Sequence, residues 1–190
     1  MATGTLEQAV QNGRMVEDEP LYEIVNGERV EIPHMGLYAG SIANVLAFLM
    51  NQFAFPRKLG FAFVETLFQL LPGRPNRRPD VAFVARERWA EPPYAVGEDP
   101  AAWNVIPNAA IEVISPSNVA DSVETKLLDY FEAGVELVWV IYPRQQRIYV
   151  YETPANARVL GINDELEGGT VLPGFRLKVA DLFNALQKQA

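Results

Sequence analysis

Two continuous apolar stretches, separated by a helical pattern, dominate the distribution of hydrophobic and polar residues along the chain. The first occupies 109–114 and the second 136–142. Continuous apolar runs of this length indicate strands that are buried on both faces, as in parallel sheets. Two such strands joined by a helix predict a βαβ unit, whose strands are parallel neighbours.

The helix between these strands has recognisable start and stop signals. Asp121 precedes Glu124 by three residues, which is the capping-box spacing, so we expect Asp121 to cap the helix. Gly134 is suited to the left-handed conformation that ends many helices. The segment 121–134 therefore predicts one helix with an apolar face that packs on the sheet.

The remaining pattern predicts more strands and two more helices around this unit. Asn26-Gly27 between alternating segments predicts a type I′ hairpin. The other expected elements are a helix at 41–53, a long strand at 61–71, strands at 81–85 and 147–151, the latter antiparallel to 138–142, β-structure at 160–178 and a closing helix at 179–186. The length fits one domain over 1–190, in which 1–18 are expected to be poorly ordered. The predicted fold is α/β, a mixed central sheet flanked by helices.

Two carboxylates lie within or at the start of predicted buried strands. Glu112 interrupts the apolar run at 109–114, and Asp80 immediately precedes the strand at 81–85. A buried carboxylate is unfavourable unless it has a partner, a proton or a metal. Asp80 and Glu112 on neighbouring strands could share one divalent cation, or could pair with Arg78 or Lys126 in a structural ion network.

A lysine in the predicted helix is placed to reach the same region. On a helical projection that sets Val123 at zero, Lys126 falls at about 300°, at the edge of the apolar face. Its side chain can extend along that face toward Glu112. Asp80, Glu112 and Lys126 around one cation are the working groups of a metal-dependent phosphodiesterase.

The order of these motifs resembles the Uma2 (DUF820) family of endonucleases, a branch of the PD-(D/E)xK nuclease superfamily. No single motif is specific, but their combined order extends from Leu21 to Phe183. The matching segments are LYEIVNGERVEI (21–32), RRPDVAFV (77–84), AAIEVISPSN (109–118), the helix with Asp121, Lys126, Tyr130 and Gly134, VWVIYP (138–143), RIYVYE (147–152) and VLPGFRLKVADLF (171–183).

The resemblance implies a restriction-endonuclease-like fold and an endonuclease that hydrolyses DNA with Mg²⁺ or Mn²⁺. It implies Asp80 and Glu112 as metal ligands, Lys126 as the third catalytic group and a homodimer as the assembly. The chain departs from the superfamily pattern at Ile114, where a lysine is usual. A catalytically inactive module that binds nucleic acid or assembles with other molecules is therefore the alternative function.

Glu23, Glu65 and Asp121 are accessory candidates at the site, each with a structural alternative, which for Asp121 is the helix cap that its spacing to Glu124 favours. Glu23 lies where the Uma2 pattern has a glutamate, and it could assist the metal site or face solvent on the hairpin. Glu65 interrupts an apolar strand face and could contact the metal or Lys126, or lie at the sheet rim.

Charge and composition restrict the classes of protein that the chain can represent. The net charge of −8 and pI near 4.7 are unusual for a nucleic-acid binder. Arg74, Arg77 and Arg78 beside Asp80 are a local basic cluster that could contact nucleic acid, or merely a solvated loop.

Other features limit the alternatives further. The absence of cysteine excludes disulfides and thiolate catalysis, and His34, the single histidine, is expected to be a surface loop residue. Neither a signal peptide nor an uninterrupted apolar run of about 18 residues is evident, so we expect a cytoplasmic protein with no membrane partner. The tryptophans of the long loop at 86–107, Trp89 and Trp103, could flank a substrate cleft or cover a sheet edge.

Overall fold

A computed structural model describes residues 20–89, 101–115 and 120–186, with only the backbone described at 120 and 121. The prediction of poor order for 1–18 lies outside these residues. So does the predicted capping by the Asp121 side chain.

The centre of the molecule is a six-stranded mixed sheet. Its strands are β3 (Gly60–Val64), β6 (Val81–Ala85), β7 (Ala109–Val113), β8 (Leu137–Tyr142), β9 (Arg147–Thr153) and β10 (Asn156–Leu160). Their spatial order is β10-β9-β8-β7-β6-β3, in which β7 and β8 are parallel and the other neighbours are antiparallel.

Two smaller sheets and three helices complete the described fold. A four-stranded sheet has the order β2-β1-β5-β4, and β11 pairs with β12. The short strands are β1 (Tyr22–Val25), β2 (Glu28–Glu31), β4 (Phe68–Gln69), β5 (Asn76–Arg77), β11 (Glu165–Glu167) and β12 (Arg176–Lys178). The helices are α1 (Leu37–Ala54), α2 (Ala120–Ala133) and α3 (Val179–Asn184).

Each face of the central sheet carries its own hydrophobic core. Helices α1 and α3 cover one face, where Ile42, Phe83 and Trp139 are almost fully buried. Helix α2 covers the other face with Leu127 and Tyr130. Because successive residues of a strand point to opposite faces, the all-apolar strands β6 and β8 contribute to both cores.

The structure confirms the predicted mixed α/β architecture and most of its connections. Strands β7 and β8 are parallel neighbours joined by α2, and β8 and β9 are antiparallel. Gly134 follows α2 with φ of 98°, and Asn26-Gly27 joins β1 and β2 with φ of 53° and 80°. Both dihedrals of this pair are positive, as a type I′ turn requires.

The prediction of one long strand at 61–71 is wrong. Strand β3 ends at Val64, because Glu65 adopts a left-handed φ of 48° that turns the chain away from the sheet. The following residues join the four-stranded sheet as β4, where Phe68 is opposite Arg77. The apolar alternation continued through this turn and concealed it.

Boundaries elsewhere shifted by a few residues. Helix α1 begins at Leu37, before the predicted start at 41. The sequence did not indicate this start, because the N-cap residue Gly36 provides no side-chain capping signal. The strand predicted at 147–151 continues to Thr153 as β9. It forms a hairpin with β10, which begins at Asn156, before the β-structure that was expected at 160–178. The closing helix ends at Asn184, two residues earlier than predicted.

A side-chain amide covers the outer edge of β3, which is an edge strand of the central sheet. Asn51 donates from Nδ2 to the Ala62 carbonyl at 2.8 Å and accepts from the Ala62 N–H at 2.7 Å. Both polar groups of this backbone unit are thereby satisfied at a position where they could pair with another chain.

We therefore expect Asn51→Ala to destabilise the protein by about 1–3 kcal/mol, because it leaves the buried Ala62 backbone groups without a partner. Thermal unfolding and light scattering measure the loss of stability and the added aggregation. Gln52→Ala, at an exposed position of the same helix, is the control. Equal unfolding temperatures for the two variants would contradict this role of Asn51.

The outward face of α1 has no charged residue, and it carries exposed apolar side chains beside Ser41 and Asn44. Leu37, Phe48 and Phe55 are 89%, 64% and 70% exposed, and a helical projection places them within about 20° of one another. By length and mean hydropathy (1.2), α1 alone among the described helices could cross a membrane, although no uninterrupted apolar run was found. The inward side of the helix, 39% of its residues, is buried in the core, and length and mean hydropathy alone do not distinguish such a helix from a core helix.

Candidate metal-dependent nuclease site

The two carboxylates predicted from the sequence meet at one edge of the central sheet. In the antiparallel register of β6 and β7, Val81 is opposite Ile111, so Asp80 and Glu112 are the next opposed pair. Asp80 Oδ2 accepts a hydrogen bond of 2.6 Å from the Val113 N–H. The sheet register therefore holds both carboxylates in place.

Asp80 is in an environment that opposes its ionisation. Burial raises the pKa of Asp80 to about 8, and repulsion from Glu112 adds to this effect. The hydrogen bond from Val113 and the positive charge of Lys126 compensate only in part. Near neutral pH the pair therefore holds a proton that a divalent cation could replace.

Lys126 extends inward from α2 to the carboxylates. Its ammonium lies 3.2 Å from Glu112 Oε2 and 3.1 Å from Glu23 Oε1, and the side chain is 16% exposed. Burial lowers the pKa of Lys126, but Glu112 and Glu23 outweigh this effect and raise it above the ordinary value. Lys126 therefore stays protonated and acts as a cation, which makes it unsuited to abstracting a proton from water.

Glu23 is a buried member of this site, so the solvent-facing alternative is wrong. It is 2% exposed and accepts hydrogen bonds from Arg77 Nη1 at 2.6 Å and from the Arg78 N–H at 3.1 Å. Arg77 also donates from Nε to Asp129 at 2.8 Å. An alternating chain of charges thus extends from Glu112 through Lys126, Glu23 and Arg77 to Asp129.

Tyr130 holds the carboxylate of Glu112 with a hydrogen bond. Its buried hydroxyl donates a hydrogen bond of 2.6 Å to Glu112 Oε1, while the ammonium of Lys126 contacts both oxygens of the same carboxylate. Burial and the negative charge of Glu112 raise the pKa of Tyr130 well above its ordinary value, so the hydroxyl remains a donor. Lys126 and Tyr130, four residues apart on α2, together fix the orientation of Glu112.

Arg74, Arg77 and Arg78, which were predicted as a local basic cluster, do not form one exposed surface. The side chain of Arg77 is 6% exposed and is neutralised by Glu23 and Asp129, so it does not present a charge to solvent. Arg78 is partly buried, and its guanidinium donates to the backbone carbonyls of Tyr22 and Glu65. Arg74 is exposed and pairs with the exposed Glu132.

The other predicted residues lie around the site. Glu65 contributes its backbone carbonyl to Arg78 from the end of β3, and its negative charge slightly raises the pKa of Asp80. Trp89 and Trp103 form an aromatic cluster with Phe63, and Trp103 makes backbone hydrogen bonds to Leu67 and Gln69. The two tryptophans therefore cover β3 and β4, which is the sheet-covering alternative.

An open cavity of about 470 Å³ gives access to the carboxylates. Its polar wall contains Asp80, Glu112 and Lys126, whereas Val25, Val30 and other residues of the hairpin form an apolar wall. His34, expected to be a surface loop residue, is exposed as predicted but also lines this cavity.

Sequence reasoning missed Asp129 and Tyr130. Both lie three or four residues after Lys126, a spacing that places them near Lys126 on one side of the helix. This signal could have identified Asp129. Tyr130 was named as a position of the apolar helix face and of the Uma2 pattern, but without a role for its hydroxyl, because the hydroxyl has no partner nearby in the sequence.

The fold and site are those of a nuclease-like protein, and comparison with known proteins specifies the family. The model of the Uma2 family, described as "Putative restriction endonuclease", matches residues 7–180. The chain therefore belongs to the Uma2 family, and this membership supports a nuclease function.

A solved structure shares the fold. It is described as the "Crystal structure of a putative nuclease belonging to DUF820 from Anabaena variabilis ATCC 29413", and it superposes with a TM-score of 0.75 and 22% sequence identity. The match covers 88% of this chain and 92% of the other. No curated protein matches the chain.

Proposed function

We propose that this protein is a metal-dependent endonuclease that hydrolyses phosphodiester bonds in DNA. The observation that carries the proposal is the opposed pair of Asp80 and Glu112, in which burial and mutual repulsion raise the pKa of Asp80 to about 8. The family description supports a nuclease as the reaction class.

The residues present fit a hard divalent cation such as Mg²⁺ or Mn²⁺. Two carboxylates at a cavity wall offer the oxygen ligands that these ions prefer, and the cation would relieve the repulsion at Asp80. No group of three histidine, cysteine or acidic side chains suited to a metal occurs within the described residues. Water would therefore complete the coordination, as is common for Mg²⁺. When bound, the cation supplies Lewis-acid activation of the scissile phosphate.

The other side chains of the site fix the positions of Glu112 and Lys126 and neutralise charge. Tyr130 and Lys126 hold Glu112. Glu23, itself bound by Arg77, holds the ammonium of Lys126. As a permanent cation, Lys126 offsets the negative charge that develops on the phosphate during hydrolysis. Lys126 thereby takes the place of the lysine that the superfamily pattern has at Ile114.

Arg74 is the proposed contact with the DNA backbone outside the cavity. Its ion pair with Glu132 joins two side chains that are 58% and 56% exposed. Exposed pairs of this kind contribute little stability, so a phosphate can replace Glu132 at small cost. Arg78 can add only the part of its guanidinium that its backbone partners leave open.

The direct test is cleavage of plasmid and linear DNA by purified protein with Mg²⁺, Mn²⁺ or EDTA. The proposal predicts cleavage that requires the metal and disappears in Glu112→Gln. Glu152→Gln, an exposed carboxylate on β9, is the matched control and should cleave normally. Equal cleavage by wild type and Glu112→Gln would assign the activity to a contaminant and contradict the site.

The alternative is a catalytically inactive module that binds nucleic acid or assembles with other molecules. The net charge of −8 and Ile114 at the usual lysine position favour this alternative. It predicts a folded wild-type protein that does not cleave DNA in any divalent metal.

We also propose a homodimer that forms through the uncharged outward face of α1. The face has no charged residue in a chain of net charge −8, so two copies can approach there without local repulsion. Ser41 and Asn44 on this face each donate a hydrogen bond of 2.8 Å to a carbonyl of their own helix, which reduces the cost of covering them. In an antiparallel crossing, Leu37 of one copy would meet Phe55 of the other.

Phe48→Glu is expected to convert this dimer to a monomer, because it places two carboxylates near the two-fold axis. Light scattering coupled to size exclusion measures the change. Leu128→Glu, at an exposed apolar position of α2, adds the same charge elsewhere and should leave the dimer intact. A wild-type monomer at every accessible concentration would contradict the assembly.

A further inference from the structure

The basic side chains of the catalytic cavity are already engaged by the protein itself. Lys126 contacts Glu23 and Glu112, and Arg77 contacts Glu23 and Asp129. Arg78 donates to two backbone carbonyls. An incoming phosphodiester therefore meets three acids, Glu23, Asp80 and Glu112, and three cations that already have protein partners, so a further hydrogen-bond donor would favour its binding.

His34 is in a different condition. It lies in the segment between β2 and α1 and lines the same cavity as Asp80 and Glu112. Its side chain is exposed, and no hydrogen bond or ion pair joins it to any residue that the structure describes. Its imidazole nitrogens are thus available to a ligand in the cavity.

The short segment that carries His34 is anchored on both sides. The Ile32 N–H donates to the Leu21 carbonyl at 2.9 Å, and Met35 packs on the core beneath α1. Pro33 restricts the backbone immediately before His34. The imidazole is therefore held at the cavity mouth by a constrained backbone, which favours a defined contact with a ligand.

We propose that His34 is a substrate-contacting residue of this site, which donates a hydrogen bond to a phosphate oxygen of the bound nucleic acid. The inference rests on the proposed function, because it assigns a residue to the same cavity. The ligand chemistry is a phosphodiester anion, which the imidazole recognises from the wall of the cavity that Asp80 and Glu112 also line. The hydrogen bond from His34 offsets part of the repulsion between the phosphate and the carboxylates that line the cavity.

The single histidine makes the test direct. In the untagged protein, the imidazole signals in a proton–carbon NMR spectrum belong to His34 alone. The probe is a short DNA strand with phosphorothioate linkages, which resist hydrolysis, added in the presence of Mg²⁺. The proposal predicts that the His34 signals shift with the same saturation curve as binding measured by fluorescence anisotropy. Binding of the strand without a shift, or no binding at all, would overturn it.

Kinetics separate this inference from the proposed function. His34→Ala is expected to raise KM for DNA about tenfold or more with a smaller effect on kcat, whereas His34→Asn and His34→Gln, which keep a donor, should recover part of the loss. Unchanged KM in His34→Ala, with cleavage still lost in Glu112→Gln, would overturn the role of His34 and leave the nuclease proposal intact. If wild type binds the strand but does not cleave, the NMR shift still decides whether His34 contacts it.

Discussion

At pH 8, Asp80→Asn is expected to unfold about 5 °C or more above the wild type in the absence of metal, while it loses metal-dependent cleavage. Burial and Glu112 raise the pKa of Asp80 to about 8 in the folded protein, far above its ordinary value of 3.8. The folded state therefore binds the proton more tightly than the unfolded state. This contribution to stability is complete below about pH 4 and is lost as the pH rises through 8.

The size of the effect follows from the separation of the two pKa values. Each pH unit within the window changes stability by up to about 1.4 kcal/mol, and about 1 kcal/mol corresponds to roughly 2–4 °C for a chain of this size. Asparagine imitates the protonated acid, and its amide oxygen can still accept from the Val113 N–H.

Thermal unfolding at pH 5 and pH 8 measures this difference. The gain in Asp80→Asn should be smaller at pH 5, and Glu28→Gln on the exposed hairpin strand should show no such trend. An equal gain at both pH values would show that Asp80 is not held protonated by its surroundings.

Replacing Lys126 by methionine is expected to cause the second large effect, a loss of about 3–5 kcal/mol of stability together with a loss of cleavage. Lys126 separates Glu23 from Glu112, and both carboxylates are buried. Removal of the cation leaves them facing each other without compensation, and breaking one side of a buried ion pair has this magnitude. The expected fall in unfolding temperature is on the order of 10 °C.

A second substitution separates the structural role of Lys126 from the catalytic one. Lys126→Met/Glu23→Gln removes one of the two buried carboxylates that repel each other and should recover part of the lost stability, while cleavage stays reduced by about 10²–10³. Lys178→Met, at an exposed position of β12, is the control for loss of a lysine. Recovery of cleavage along with stability would restrict Lys126 to a structural role.

Much of the architecture could be predicted because the central strands are buried on both faces. Strands β6 and β8 appear in the sequence as continuous apolar runs. The helix that joins β7 to β8 predicted that β7 and β8 are parallel neighbours, as the structure shows. The same logic failed at Glu65. There the tertiary fold imposes a left-handed backbone that nothing in the local alternation indicates.

The candidate site could be predicted only where a residue conflicts with its own surroundings in the sequence. Glu112 and Asp80 are acids beside apolar strands, so they attract attention without any structure. Tyr130 and Arg77 do not conflict locally. A tyrosine on an apolar helix face resembles core, and an arginine in a polar turn resembles solvated surface.

Their roles come from contacts over long distances in the sequence. Arg77 binds Glu23 and Asp129, which are 54 and 52 positions away. His34 likewise reaches the cavity only because the hairpin returns the chain to it. Such contacts depend on sheet register and helix rotation, which apolar patterns specify less closely than the order of elements.

Calorimetric titration with Mn²⁺ tests directly whether Asp80 and Glu112 form a metal site. The wild type is compared with Asp80→Asn/Glu112→Gln, and thermal unfolding verifies that both proteins are folded. We expect saturable binding in the wild type, with release of a proton near neutral pH, and no binding in the folded double variant. Equal binding in both proteins, or none in the wild type even with phosphorothioate DNA present, would contradict a metal site at this carboxylate pair.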